Sequence, residues 1–561
     1  MKIIPLLFRT KTPVSSSEKG SLKRCLTAFD LTLLGIGAII GTGIFVLTGI
    51  VAATQTGPAI VLSFTIAGVV CAFAALSYAE LASSVGGCGS AYGYCYTAFG
   101  EFIAWIIGWA LILEYSVAVA AVATGWSGYF ENILATFHII IPRAYTHGPL
   151  AGGIINLPAF CIVLILMGLL MTGVKHGARM NAVMVFIKLL TIAVFIAVAS
   201  QKVQPENWTP FMPFGWFGES ASGKPIGVLG GAAMVFFAYI GFDAVSTAAE
   251  ETKDPQKNLP IGIIGSLLVT TVLYIVVAWL LTGIVSYKEL DVASPVSHAL
   301  ALIGFQWTSG LVAAGAIAGI TTVMLVCYYG LTRIIFAMGR DGLLPVFLSA
   351  VNKKTQTPIR AIVFSGVFIS LAAGLVPLNE LAELVNIGTL LAFFVVCIGV
   401  IVLRVRQPNM TRAFKVPLGW TIPILGALSV AGLGYFLSGA TWIRFFIWQG
   451  IGLLLYFSYS IHHSKLAQTK PTPATKQKKK AVPKKQKVHG RKKEKKREKI
   501  ASVQKVKQTT AKIWRSFLNG APVVNAVGTK IREYNGYIFI AKLKETLRFL
   551  PYPTHHYFQK G

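Results

Sequence analysis

Four glycines punctuate the first apolar stretch of the chain, Leu33-Leu34-Gly35-Ile36-Gly37-Ala38-Ile39-Ile40-Gly41-Thr42-Gly43-Ile44-Phe45, and Gly41-Thr42-Gly43 falls near its middle. A helix interrupted there leaves free N–H groups at the start of its second half and free carbonyls at the end of its first. A zwitterion such as an amino acid presents a carboxylate and an ammonium at fixed separation. The N–H groups around Gly41, Thr42 and Gly43 suit the carboxylate. The carbonyl of Ile40 suits the ammonium, and so do those of Phe237, Ala238 and Ile240 in a second Gly-interrupted stretch, Phe236-Phe237-Ala238-Tyr239-Ile240-Gly241-Phe242-Asp243. Neither task needs a charged side chain. The other use of such glycines is close packing of helices, but two interrupted segments at matching places point to a binding site.

Ionisable side chains inside apolar stretches are costly and each is a functional candidate. Lys188, in Val185-Phe186-Ile187-Lys188-Leu189-Leu190, must pair with carbonyls or carboxylates or give up its proton. Beside the broken first helix its ammonium would hold exposed carbonyls, and loss of the proton would loosen them, which makes it a candidate for proton coupling; the plainer role is a static tie. Glu114, in Leu111-Ile112-Leu113-Glu114-Tyr115, either faces the cavity, as a gating or specificity residue, or bonds a neighbouring helix. Glu101 stands where a carboxylate suits a helix N-terminus. Asp243 follows the second break, where it either caps the half-helix that starts there or touches substrate. Glu80 is expected at the interface. Tyr239, Phe237, Phe242 and Trp109 are candidate gates or packing aromatics.

What must position these residues is a membrane. The chain is 54% hydrophobic and 13% charged, about half the charge of an ordinary soluble domain. Apolar runs of about 20 residues read as spans, at approximately 31–53, 58–82, 99–124, 154–173, 180–200, 227–249, 260–284, 309–335, 360–377, 381–403, 421–439 and 442–461. The expected fold is an all-α polytopic membrane protein of about twelve transmembrane helices. Spans 1 and 6 are broken, so spans 1–5 and 6–10 form a five-plus-five inverted repeat with spans 11 and 12 appended. Lys and Arg concentrate in alternate loops, among them Lys253, Lys257, Arg340, Arg404 and Arg412, which places both termini in the cytoplasm.

The expected domains are a cytoplasmic segment 1–30, a transporter core 31–461, a basic disordered linker 462–507 and a C-terminal amphipathic segment 508–561. Residues 462–561 carry 26 Lys and Arg against 4 acids, most of the net +30. Such a tail is solvated and held at the inner leaflet, with anionic lipid as a partner; nucleic acid is not expected.

Several function classes are excluded. The seven cysteines form no CxxC pair, so neither a disulfide framework nor a zinc site is indicated. His462-His463 and His555-His556 read as surface histidines. Gly86-Gly87-Cys88-Gly89-Ser90 lacks the Lys and the strand of a phosphate loop. No nucleophile–base constellation and no ATP-binding motif stand out. The chain is not read as an enzyme, and no metal or cofactor is expected.

Gly35-Ile36-Gly37-Ala38-Ile39-Ile40-Gly41-Thr42-Gly43-Ile44-Phe45-Val46 resembles the first span of the amino acid/polyamine/organocation transporter superfamily. Gly108-Trp109 with Leu111-Ile112-Leu113-Glu114-Tyr115, the stretch around Tyr239, Glu250-Glu251-Thr252-Lys253-Asp254-Pro255 and Arg340-Asp341-Gly342-Leu343-Leu344-Pro345 are similar to its cationic amino acid transporter branch, in the twelve-span form of bacterial members. The resemblance covers about residues 20–461. It implies an amino acid held by spans 1 and 6, a proton-coupling role for Lys188 and a cavity-side place for Glu114. Ala110 stands where relatives often carry Asp. The function these readings imply is a permease: proton-coupled uptake of an amino acid by alternating access. An amino acid or polyamine exchanger is the nearest alternative, and a transporter-like receptor a more distant one.

Overall fold

In lipid a backbone can satisfy its polar groups only within itself, so apolar segments of this length fold as helices. The computed structural model describes residues 7–11, 26–85, 89–172, 177–220, 223, 225–352, 355 and 357–468. They belong to the first of the two units into which the chain divides, Met1–Lys470 and Pro471–Gly561. The expected linker from residue 469 onward and the segment 508–561 lie outside the described residues, as do Gly86, Gly87 and Cys88.

Among the described residues eight helical stretches are long and apolar enough to cross a membrane. One of them, Gly43–Ser84, joins the second half of span 1 to span 2. The shorter apolar helices Ala28–Ile39, Leu157–Met171, Ile359–Leu375 and Thr421–Tyr435 supply the first half of span 1 and spans 4, 9 and 11. The twelve expected spans are all accounted for. Spans 3 and 8 run longer than their apolar cores predict, as Glu101–Thr136 and Gln306–Arg340.

The repeat is visible in packing. Span 7 lies along span 2, span 8 along span 3, and span 9 along span 4, each a pair of equivalent positions in the two halves. Two short helices, α1 (Ser90–Ala98) and α2 (Pro295–Leu302), stand at equivalent places, after span 2 and after span 7. Neither was anticipated, although Pro295 at the first turn of α2 is a helix-start signal.

Both breaks have local causes. The first helix of span 1 opens with a capping box between Thr27 and Asp30 and ends at Ile40, whose ψ of 105° is extended. Helix resumes at Gly43 with a wide π turn, Gly43–Leu47. In span 6 the helix tightens to 3-10 geometry at Phe236–Tyr239 and leaves helical geometry at Ile240. Gly241 then takes φ +122°, a conformation open only to glycine. The breaks touch. A Cβ on Gly43 would lie 2.4 Å from Ala238 Cα, so only glycine permits the approach.

Polar ties hold the frame around them. Glu80, expected at the interface, is buried near the end of span 2; it accepts from Arg404 at 2.9 and 2.5 Å and from the Val416 amide at 2.7 Å. Its burial follows from the cations brought to it by the end of span 10 and the loop beyond. Glu101, at the first turn of span 3, accepts from Tyr96, Tyr456 and Ser464.

Candidate functional site

The two breaks face each other across a cavity of about 20 Å³, room for one water molecule. Span 1 contributes Gly41, Thr42 and Gly43, and span 6 contributes Phe237 and Ile240. Ala118 and Val122 of span 3 and Val323 and Cys327 of span 8 complete the wall, all uncharged. Of the substrate-binding residues expected from sequence, Gly41, Thr42, Gly43, Phe237 and Ile240 are brought together around the cavity. Ile40 and Ala238 do not line it, since Ala238 packs against Gly43 and the Ile40 carbonyl is turned to Lys188, and Ala38 and Ile39 stand in the wall instead.

Helix resumption fixes the polarity of the site. The N–H groups of Thr42, Gly43 and Ile44 precede the first complete turn and have no preceding carbonyl to bond. Thr42 is anchored to span 3 through a long 3.4 Å bond from its hydroxyl to Val122 O, and a Cβ on Gly125 would fall 2.4 Å from Thr42 Cγ2.

The carbonyls are more heavily used than the sequence reading allowed. Ile40 O accepts from Lys188 Nζ at 2.8 Å, and Gly37 O accepts from the same ammonium at 2.9 Å. Phe237 O accepts from the Ile240 amide, and Ala238 O from Tyr274 Oη. Ile240 O receives no hydrogen bond among the described residues. Because a carbonyl has two lone pairs, the engaged ones can still take a second donor.

Lys188 is completely buried in span 5, and its ammonium sits at the end of the broken first helix. This is the place where a cation neutralises the partial negative charge of a helix C-terminus. It also lies alongside span 8, since a Cβ on Gly319 would be 3.1 Å from Lys188 Cβ.

Asp243 does not cap the half-helix after the second break. It occupies the N-cap position without a side-chain capping bond, because its Oδ2 is drawn instead to Tyr115 Oη at 2.5 Å. Its Oδ1 and both carboxylate oxygens of Glu114 are buried without a hydrogen-bond partner among the described residues. Glu114 lies one helical turn from Ala118, below the cavity wall rather than in it.

Most of the candidate gates are packing residues. Trp109 stacks on Trp448 at 4.5 Å and exchanges indole-to-carbonyl hydrogen bonds with it, binding span 3 to span 12. Tyr239 turns toward span 2, where its hydroxyl donates to Phe64 O at 2.8 Å. Phe242 packs on Phe393 and Tyr78. Phe237 alone of the four lines the cavity. In each case the ring follows the nearest large buried neighbour, which residue type does not reveal.

Three supporting residues escaped the sequence reading. Tyr115 reaches Asp243, Tyr274 reaches both breaks, and Asn386 of span 10 donates to Ala233 O at 2.9 Å just before the second break. A buried Asn inside a span is itself a polar signal; the tyrosines carry no comparable mark.

Comparison with known proteins bears on the same region. Residues 26–456 match the family described as amino acid permease. The chain is 53% identical over 472 residues to the branched-chain amino acid permease BcaP of Bacillus subtilis, covering 82% of this chain and 99% of that one. It is 50% identical over 465 residues to the methylthioribose transporter of the same organism, with the same coverage. Human cationic amino acid transporter 4 is 36% identical over 412 residues, 72% of this chain and 63% of that protein.

Proposed function

The chain belongs to the amino acid permease family, and on that premise we propose that it takes up neutral amino acids together with protons by alternating access. The observation that carries the reading is the Lys188 ammonium, 2.9 and 2.8 Å from Gly37 O and Ile40 O at the broken end of the first helix. A protonated lysine stabilises those carbonyls as a bound cation would; a neutral one holds them less, so the break relaxes when the proton leaves. Proton occupancy and the shape of the substrate site are thereby linked.

In this mechanism the substrate carboxylate takes the N–H groups of Thr42 and Gly43 and its ammonium takes Ile240 O with the second lone pair of Phe237 O. The side chain meets Ala118, Val122, Val323 and Cys327. No carboxylate lines that wall, which supports a neutral substrate over a cationic one. Alternating access then rocks spans 1, 2, 6 and 7 against spans 3, 4, 8 and 9. Glu114 and Asp243 act behind the cavity wall in gating. The transporter lies in the inner membrane with both termini cytoplasmic, and the basic segment beyond 462 rests on anionic lipid as an accessory.

The test is uptake of labelled alanine, leucine, arginine and methylthioribose into proteoliposomes, with and without an inward proton gradient. Gradient-driven accumulation of alanine or leucine is expected. Uptake that ignores the gradient and requires internal amino acid would make the protein an exchanger, and selective methylthioribose uptake would overturn the amino acid substrate. Transport of none of these would turn attention to polyamines and then to a receptor role.

A further inference from the structure

Tyr274, in span 7, has one phenolic hydrogen and two carbonyls within reach. Its Oη lies 2.8 Å from Ile39 O, at the break of span 1, and 2.8 Å from Ala238 O, at the break of span 6. The ring is completely buried and set by Phe64 and Tyr239, at centroid distances of 5.4 and 5.3 Å. A hydroxyl donates a single hydrogen bond, so the two carbonyls share one donor and each retains capacity for another. Neither Tyr274 nor Ala238 lines the cavity. The bridge therefore stands behind the breaks. Successive carbonyls of span 1 are held by different spans, Ile39 O by Tyr274 of span 7 and Ile40 O by Lys188 of span 5.

We propose that Tyr274 is a positioning residue for the transport site, a hydrogen-bonded bridge that keeps the two unwound segments at fixed spacing. Recognition of a zwitterion demands that spacing, because one end of the substrate is read by span 1 and the other by span 6. The ring alone cannot supply it. Packing against Phe64 and Tyr239 fixes the aromatic body, whereas the hydroxyl adds to the direct contact of Gly43 with Ala238 a hydrogen-bonding group within reach of both backbones. The bridge also ties both segments to span 7, so spans 1, 6 and 7 move as one body. The kinetic part of this inference rests on the amino acid transport proposed above; the structural part does not.

The full-length Tyr274→Phe variant tests it, since phenylalanine keeps both ring contacts. Tyr328→Phe is the control: it removes an equally buried hydroxyl, which donates at 2.6 Å to Ile362 O in the unbroken helix of span 9. Amide hydrogen exchange is followed over residues 36–45 and 235–243 in the absence of substrate. In Tyr274→Phe exchange should quicken in both segments together, by about three- to tenfold, as loss of one hydrogen bond allows; Tyr328→Phe should leave both unchanged. In transport, KM for the amino acid should rise by a similar factor while the maximal rate stays within about twofold. Faster exchange in one segment alone, in neither, or equally in the Tyr328→Phe control would overturn the bridge. An unchanged KM with a reduced maximal rate would overturn its positioning role. A wild-type protein that moved no amino acid while exchange behaved as expected would sink the transport reading and still support the bridge.

Discussion

Tyr115 Oη donates to Asp243 Oδ2 at 2.5 Å, joining the middle of span 3 to the point where span 6 resumes its helix. In the mechanism proposed above span 3 belongs to the frame and span 6 to the moving bundle, so this bond would cross the boundary between them. Among the described residues Asp243 accepts no other side-chain hydrogen bond. Tyr115→Phe should therefore lower stability by about 1–3 kcal/mol, the cost of leaving a buried acceptor unmatched. Asp243→Asn should cost less, because its amide oxygen still accepts the phenol hydrogen. Thermal unfolding of the two purified variants checks the order; equal loss in both would remove the bond from the account.

Lys188→Ala deletes the ammonium shared by Gly37 O and Ile40 O. If proton occupancy acts through those carbonyls, the variant should lose gradient-driven accumulation while retaining exchange of internal for external amino acid. Proteoliposomes with a pH-sensitive dye report both. Accumulation at the wild-type level in Lys188→Ala would reduce the lysine to a structural tie.

Much of this site was legible in the sequence because its signals are local. Gly41, Gly43 and Gly241 mark the breaks directly, and Lys188 stands out because a charge in an apolar run has few tolerable partners. The partners themselves were less legible. That Asp243 turns to Tyr115 rather than to its own helix, or that Trp109 closes on Trp448 rather than over substrate, depends on contacts between residues more than 100 positions apart. Helices α1 and α2 were missed for a related reason: each is only 8 or 9 residues long, too short to span and hidden in what reads as loop.

Gly43 meets Ala238 so closely that an added Cβ would lie 2.4 Å from both its Cα and its Cβ. The obstructing atoms include backbone, which cannot rotate away. Gly43→Ala should push the two breaks apart and reduce uptake roughly tenfold or more. Gly168→Ala, in span 4, meets nothing within 4 Å and should transport normally. Initial rates of uptake at matched reconstitution decide between them, and normal transport by Gly43→Ala would mean that the breaks need not touch.

Val323 fills the cavity wall opposite Gly41, where a Cβ on that glycine would lie 2.7 Å from Val323 Cγ2. Removing its two methyl groups enlarges the space for the substrate side chain without adding charge. Val323→Ala should raise kcat/KM for leucine relative to alanine by about fivefold, within what one or two methylenes contribute in an apolar pocket. Arginine should remain a poor substrate. A leucine-to-alanine ratio that did not move would place the side chain against another wall.

Glu80 and Arg404 test the frame independently of the site. Their side chains are 2% and 8% exposed and meet at 2.5 Å, with Arg412 3.4 Å from the same carboxylate. Removing one partner of a buried pair strands the other charge, at a cost of about 3–5 kcal/mol. Arg404→Leu should thus be strongly destabilising on its own, moderated by Arg412 and the Val416 amide, which stay with the carboxylate. Combining it with Glu80→Leu should recover much of the loss, because the carboxylate is then not left without Arg404, and Arg412, which also loses Glu80, keeps the carbonyls of Leu403, Gln407 and Met410 as acceptors. Thermal unfolding of the two single variants and the double variant completes the cycle. A double variant as unstable as the sum of its parts would show that the two residues contribute separately, through packing rather than through their charges.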